Sequence, residues 1–463
     1  MMMLASGPIM LMTMVLARDV SSDSKAMLPP AAHDPGARPG PPGAGGPLLG
    51  LTSTNLAFFN IGLDDFKQVQ QVVGDAKGLG PRFNLDSCAG CHTQPAVGGT
   101  SPFVNPQVAA ATVNGAKNTV PFFVHPNGPV REARFPFHPD GMRDGGVHDL
   151  YTITGRADAP GCVLAQPAFE QQADRRNIIF RIPTPVFGAG LIEAIPDSAI
   201  LANMAVEQSE KAAMGITGHP NRRGPGNVST SGSPNTSGND GSITRFGWKA
   251  QNKSLMIFAG EAYNVEMGVT NELFPTERDE TPSCQFNPTP EDHTTFDAGT
   301  IGDSISDVMK FATFMRFLAP PTPAPDTPSI VSGRNLFKQV GCALCHTPVL
   351  MTGASSIDVA LSNQPVQLFS DVLLHHMGPN LADNIIQGAA GPDEFRSAPL
   401  WGLGKRLFFL HDGRAITLLE AIQAHASKGN QYFPPSEANA VIARFNALSE
   451  PEKQNILNFL RGL

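Results

Sequence analysis

The 463-residue chain has no basic excess and no long apolar run beyond its first residues. Its net charge is -8 and its pI is near 5.8. Without a basic stripe to displace counterions from phosphates, a nucleic-acid partner is not expected. Nothing after the start approaches the roughly 18 apolar residues of a membrane helix, so no integral span is expected beyond a signal segment. That segment is itself incomplete. Ile9 to Ala17 is a short apolar run and Val15-Leu16-Ala17 resembles a cleavage-site pattern, but no Lys or Arg precedes it. Residues 1–17 are read as a weak signal or anchor, and the protein as periplasmic or exported, with a tether to the membrane through its N-terminus as the alternative. Tryptophan and cysteine are also scarce, at two and six copies. The 41% hydrophobic content is still ample for two to three domains.

Four of the six cysteines sit in two copies of one pattern, Cys88-Ala89-Gly90-Cys91-His92 and Cys342-Ala343-Leu344-Cys345-His346. Thiols two residues apart can add to the two vinyl groups of one porphyrin, and the adjacent His reaches its iron. Thiols at this spacing also bind zinc or form a redox pair. A chance CxxCH is expected in only about 0.002 of such chains, so two copies favour covalent haem. Two c-type haems are therefore expected, on Cys88, Cys91, Cys342 and Cys345, with His92 and His346 as proximal iron ligands. Covalent haem is attached outside the bacterial cytoplasm, where the remaining Cys162 and Cys284 could pair. Sequence leaves that pairing open.

The expected fold is mainly α, with two cytochrome c-like haem units. Residues 18–50, nearly all Pro, Gly and Ala from Leu28 on, read as a disordered tether. Residues 51–318 form the first unit, 319–328 a Pro-rich hinge and 329–463 the second unit. Phe66, Val69 and Val73 predict a helix from Asp65 to Val73 ahead of the first motif. Thr100 to Arg181 reads as a loop-rich insertion with short β-type runs such as Thr119 to Val124, and Gly224 to Ser242 as a loop. In the second unit, Gly333 and Phe337 lie one turn apart. Ser449-Glu450-Pro451-Glu452 is a capping box that opens a closing helix, and the small Gly333 is where two crossing helices would touch. A faint repeat relates Phe180-Arg181 through Gly190 to Phe395-Arg396 through Gly404.

The sixth ligand decides each iron's function, since an iron with both axial positions filled carries electrons and an open one binds peroxide or oxygen. Thr417-Leu418-Leu419-Glu420 caps a helix that places Leu418, Ile422 and His425 on one face. His411 and Arg414, in the His-Asp-Gly-Arg turn before it, are candidate propionate contacts. His375-His376-Met377 supplies further possible ligands. At the first haem His125, His138, His148, Tyr151 and Met267 are all open as ligands. Glu193 is the candidate catalytic carboxylate, with Glu261, Glu266 and Glu272 as rivals unless they are the polar face of a helix from Leu255 to Asn271. Trp248 is the candidate electron relay between haems.

Together these residues resemble the bacterial di-haem cytochrome c peroxidase superfamily, and more closely its di-haem oxidoreductases, some of which carry the label thiol oxidoreductase. The resemblance runs from about Asn55 to Leu463. It is carried most specifically by Gly78 to Asn84, by Arg245-Phe246-Gly247-Trp248-Lys249-Ala250 with Glu266-Met267-Gly268, and by Glu394 through His425. It implies reduction of peroxide, or a related oxidation, at the first haem, with electrons relayed through the second from a small cytochrome or cupredoxin. The peroxidases place a Met where this chain has His425, which implies bis-His ligation of the second iron and a lower potential. Arg406 stands where they have a calcium-binding Thr, which speaks against calcium. The thiol label finds no support, because thioether bonds would consume both CxxC pairs. The alternatives are an oxygenase like the rubber-cleaving di-haem enzymes, acting with O2, and a non-enzymatic electron-transfer cytochrome.

Overall fold

The computed structural model describes residues 30–222, 242–278 and 281–463. The signal segment and nearly all of the Gly224–Ser242 loop lie outside them. The described chain is rich in helices, with four small sheets of two or three strands. None of its helices is long and apolar enough to cross a membrane.

Two helix pairs organise the chain. In the first, a leading helix, Ser53–Lys67, crosses a closing helix, Asp307–Phe317; in the second, Pro328–Val340 crosses Glu450–Gly462. Each begins at a hydroxyl cap. The side chains of Thr52, Ser306 and Thr327 accept first-turn amides, and Ser449 with Glu452 forms the expected capping box. The crossings need glycine. A Cβ on Gly62 would lie 2.3 Å from Lys310 O, and one on Gly333 would lie 1.9 Å from Asn455 O. One turn beyond each glycine a phenylalanine reaches the proximal histidine, with Phe66 6.1 Å from the His92 ring and Phe337 6.5 Å from the His346 ring.

The faint repeat is structural. Each copy is a strand, Ile179–Arg181 or Glu394–Arg396, followed by a left-handed glycine and a short helical turn. Gly188 (φ 64°) precedes Ala189–Glu193, and Gly402 (φ 79°) precedes Leu403–Lys405. Each turn packs on its own closing helix, where a Cβ on Gly190 would meet Arg316 O at 1.9 Å and one on Gly404 would meet Arg461 O at 2.3 Å. The copies also touch, because the Trp401 ring covers Gly188.

Four expectations need correction. The leading helix ends at Lys67, where Gln68 turns extended, and Val69 and Val73 are exposed beyond it. Thr119 to Val124 forms no strand. The small strands lie elsewhere: Glu132–Arg134 pairs with Val147–His148 on one side and Ile179–Arg181 on the other. The Pro-rich hinge is pinned, since Thr322 N donates to Gly43 O (2.8 Å) and Ala324 N to Gly462 O (2.7 Å), and Pro328 already belongs to the next helix. Residues 30–50, expected as a disordered tether, lie across both units. Arg38 N donates to Gly404 O (2.6 Å) and Leu48 N to Phe317 O (2.7 Å). Proline-rich backbone loses little entropy on ordering, and its free carbonyls and amides serve as partners for the elements beneath.

Cys162 and Cys284 form a disulfide that ties the insertion to the chain after the Leu255–Met267 helix.

Candidate haem cavities

Each CxxCH motif lines a cavity, with about 1140 Å³ of space unfilled by protein atoms at the first and about 1430 Å³ at the second. The proximal imidazoles are held alike. His92 Nδ1 donates to Gly99 O (2.9 Å) and His346 Nδ1 to Phe369 O (3.0 Å), which leaves each Nε2 for a metal. Burial pushes both rings down to about 4, so they are neutral, the form that ligates. Burial pushes the Cys88 and Cys342 thiols up to about 12, the reverse of what a redox CxxC needs.

The second cavity holds His346 and His425 together. His425 caps the Leu418–Ala424 helix and its Nδ1 donates to Ala421 O (2.7 Å), so its Nε2 is also free. Two arginines, the half-buried Arg396 and the buried Arg406, line the same cavity with no carboxylate partner among the described residues, and desolvation presses both down to about 10. Buried cations without counter-charges call for an anion. A porphyrin carrying two propionates supplies two, and this donor set fits haem. His411 lines the cavity, stacked on Phe395 at 4.3 Å. Arg414 does not: it is exposed and pairs with Asp412, which leaves Arg396 and Arg406 as the candidate propionate contacts. His375 and Met377 line the wall, whereas His376 faces Asp393 and Glu394.

The first cavity is chemically different. Met267 lines it with Sδ 3.8 Å from Cys88 Sγ, but no imidazole besides His92 does among the described residues. His125 is exposed, His138 and His148 face Asp144, and the Tyr151 hydroxyl donates to Gln107 O. Glu193 is absent from the wall. It pairs with Arg316 (2.7 Å) and accepts from Leu255 N (2.8 Å), holding the start of the Leu255–Met267 helix onto the closing helix. Glu272 binds Thr294 away from the cavity. Glu261 and Glu266 do line it, because their helix ends at Met267 and is buried on most of its surface.

Beside them stands Glu132, which sequence reasoning overlooked. It lies across the strand pair from Arg181, pairs with Arg134 and exchanges a hydrogen bond with Glu266. Burial and the charge of Glu132 push Glu266 well above the carboxylate range. Burial would raise Glu132 too, but Arg134, the Glu266 hydrogen bond and Arg181 hold it near 2. The two therefore share one proton, as a pair. Asn84 Nδ2 donates to Glu266 Oε2 (2.8 Å), which fixes that carboxyl. Arg131 also lines this cavity, its Nε buried without a partner, a fit for a propionate of the first haem. The missed signal was the alternation Glu132-Ala133-Arg134, which sends two charges inward from one strand.

Trp248 lines both cavities, and its indole Nε1 donates to Ile182 O (2.9 Å). Next to it Lys249 is fully buried, with Nζ bound by Asp383 (3.0 Å), Gly391 O and Glu394 O (each 2.8 Å). Asp383 also holds Arg181 (2.7 Å), which lines the first cavity. Burial alone would raise Asp383, but Lys249 and Arg181 hold it at about 2, below its ordinary 3.8. A depressed carboxylate stabilises the fold above about pH 4, and the contribution is lost as pH falls towards 2. The stability gap between wild type and Asp383→Asn should stay constant above pH 4 and narrow by about 2 kcal/mol by pH 2, as read from denaturant melts across that range.

Residues 163–463 match the family described as "Di-haem oxidoreductase, putative peroxidase", a span that contains the second motif and not the first. Among solved structures the chain is similar to hydrazine synthase of Kuenenia stuttgartiensis (18% identity, 35% of this chain and 56% of that one, TM-score 0.23). It is likewise similar to a MauG-like protein associated with microbial copper homeostasis (18%, 34% and 52%, 0.23). A third is the diheme peroxidase BthA of Burkholderia thailandensis (15%, 47% and 65%, 0.29). The chain thus spans about half to two-thirds of the length of these structures. No curated protein matches it.

Proposed function

The chain belongs to the di-haem oxidoreductase family, and from that footing we propose that it reduces hydrogen peroxide in the first cavity with electrons that pass by way of the second. The observation that carries this reading is the inequality of the cavities: two ligand-competent imidazoles, His346 and His425, line the second, and one imidazole with a proton-sharing carboxyl pair lines the first. When bound, each haem would supply a redox-active iron.

The chain's own residues do the rest. His92 and His346 would hold the metals, and Arg131, Arg396 and Arg406 would neutralise the propionates brought into the interior. Reduction of peroxide to two waters consumes two electrons and two protons. Glu266 holds one proton at the cavity wall, and Glu132 stays ionised to receive the next, so the pair acts as general acid and base. Asn84 and Arg134 fix the two carboxyls in place. The many charged groups on this wall favour a small polar oxidant over the large apolar substrate of an oxygenase. Trp248 is the residue common to both cavities and relays electrons between them. His425, which lines the same cavity as His346, would hold the second iron together with it, and an iron so held would suit carrying electrons. The Cys162–Cys284 disulfide supports export to an oxidising compartment, and a small soluble redox protein is the expected donor.

Trp248→Phe should slow electron re-equilibration between the two centres by about tenfold, ~1.4 kcal/mol of barrier. Flash photolysis of the half-reduced protein measures it, and both haem spectra should be unchanged. The function itself is tested by turnover with a reduced donor under peroxide or under oxygen. Peroxide-dependent donor oxidation supports the proposal; oxygen uptake with no response to peroxide refutes it.

A further inference from the structure

The Pro- and Gly-rich segment after residue 29 is bonded to the elements that build the second cavity. Ala32 N donates to Glu450 Oε2 (2.7 Å) and His33 N to Gln454 Oε1 (2.9 Å), which seats the segment on the closing helix. Asp34 follows, 5% exposed at its side chain, and both its oxygens are committed. Oδ1 accepts from Arg461 Nε (2.6 Å) and Gly36 N (3.0 Å), and Oδ2 from Arg461 Nη2 (2.7 Å) and Leu418 N (2.6 Å).

Leu418 N is the telling partner. It opens the Leu418–Ala424 helix, whose C-cap is His425. First-turn amides have no partner inside a helix. Here Thr417 Oγ1 takes Glu420 N, and the Glu420 carboxylate takes Ile416 N and Thr417 N. Leu418 N is left to Asp34. A helix of seven residues is too short to hold itself in water, so its outer contacts fix its direction. Arg461 extends the same ion pair to the cavity wall, because Nη1 donates to Leu403 O (3.1 Å) and Arg406 O (2.9 Å). The segment then crosses to the first unit. Lys405 Nζ donates to Pro39 O (2.9 Å) and Gly40 O (2.8 Å), and Ala319 N to Gly46 O (2.9 Å).

We propose that residues 30–48 are a strap built into the second haem site, and that Asp34 is the positioning residue that aims His425 at His346. The inference rests on the reading of His425 as an iron ligand. Asp34 touches neither the cavity nor the cofactor; it acts through the helix. A chain cut after the low-complexity segment would therefore lose part of this site.

The test uses the full haem-loaded chain. In Asp34→Ala, the Leu418 amide should exchange about tenfold faster, the scale of a lost helix cap. A fraction of the second haem should turn high-spin and bind added cyanide, while the first haem keeps its spectrum. Asp34→Asn keeps an acceptor for Leu418 N and loses the ion pair, so it should fall between wild type and Asp34→Ala; it also serves if the alanine variant does not accumulate. Wild-type amide exchange and an unchanged second-haem spectrum in both variants would overturn the proposal. Failure of the ligation reading would show separately, as a low-spin second-haem signal that His425→Ala leaves unchanged.

Discussion

Glu266→Gln should lower peroxide turnover by about 10²- to 10⁴-fold, the range that a positioned acid or base contributes, with little change in peroxide binding. The amide keeps the shape of the neutral acid and can still meet Asn84 and Glu132, so the wall is preserved. It cannot release a proton. Because burial and the Glu132 charge keep Glu266 protonated well above the usual carboxylate range, wild-type turnover should fall as pH rises through its raised pKa, and the glutamine variant should lose that limb. Rapid-mixing kinetics across pH checks both. Glu193→Gln, by contrast, should act on stability, because Glu193 holds Arg316 and the Leu255 amide outside the cavity.

Gly333→Val should destabilise the chain by about 3 kcal/mol or more. Its first side-chain carbon would stand 1.9 Å from Asn455 O and 2.8 Å from the Phe459 Cβ, both on the closing helix. The pair must part, and Phe337 leaves the His346 ring with it. Gly46→Ala is the control, with nothing within 4 Å of the new carbon. Denaturant midpoints of the haem-loaded proteins measure the difference.

That crossing was legible in the sequence, because Gly333 and Phe337 share a helical turn before a CxxCH motif. Its twin, Gly62 and Phe66, carries the same spacing, yet the apolar run Phe66, Val69, Val73 drew attention past it. Periodicity does not show that Gln68 has left the helix. The two motifs were readable because haem attachment demands a fixed spacing, and the resemblance pointed to His425, which lines the second motif's cavity. The proposed acid–base carboxyls were not. Glu261 and Glu266 could equally have been a solvated face, and only tertiary packing buries the one and turns the other to the cavity. Glu132 is recruited from a strand far from either motif, and Arg414 is drawn outward by its neighbour Asp412. Composition misread the strap for a different reason: low hydrophobicity says how little a segment can bury, not how many backbone partners its neighbours offer.

The central claim is that the two centres are unequal, one open for chemistry and one closed for electron transfer. Electron paramagnetic resonance of the oxidised and half-reduced protein tests it most directly. The account predicts one low-spin haem with paired imidazole ligands, lost in His425→Ala, beside a second haem that is high-spin or binds added ligand freely in at least one of these states. Two low-spin haems in every state, neither open to added ligand, would contradict it.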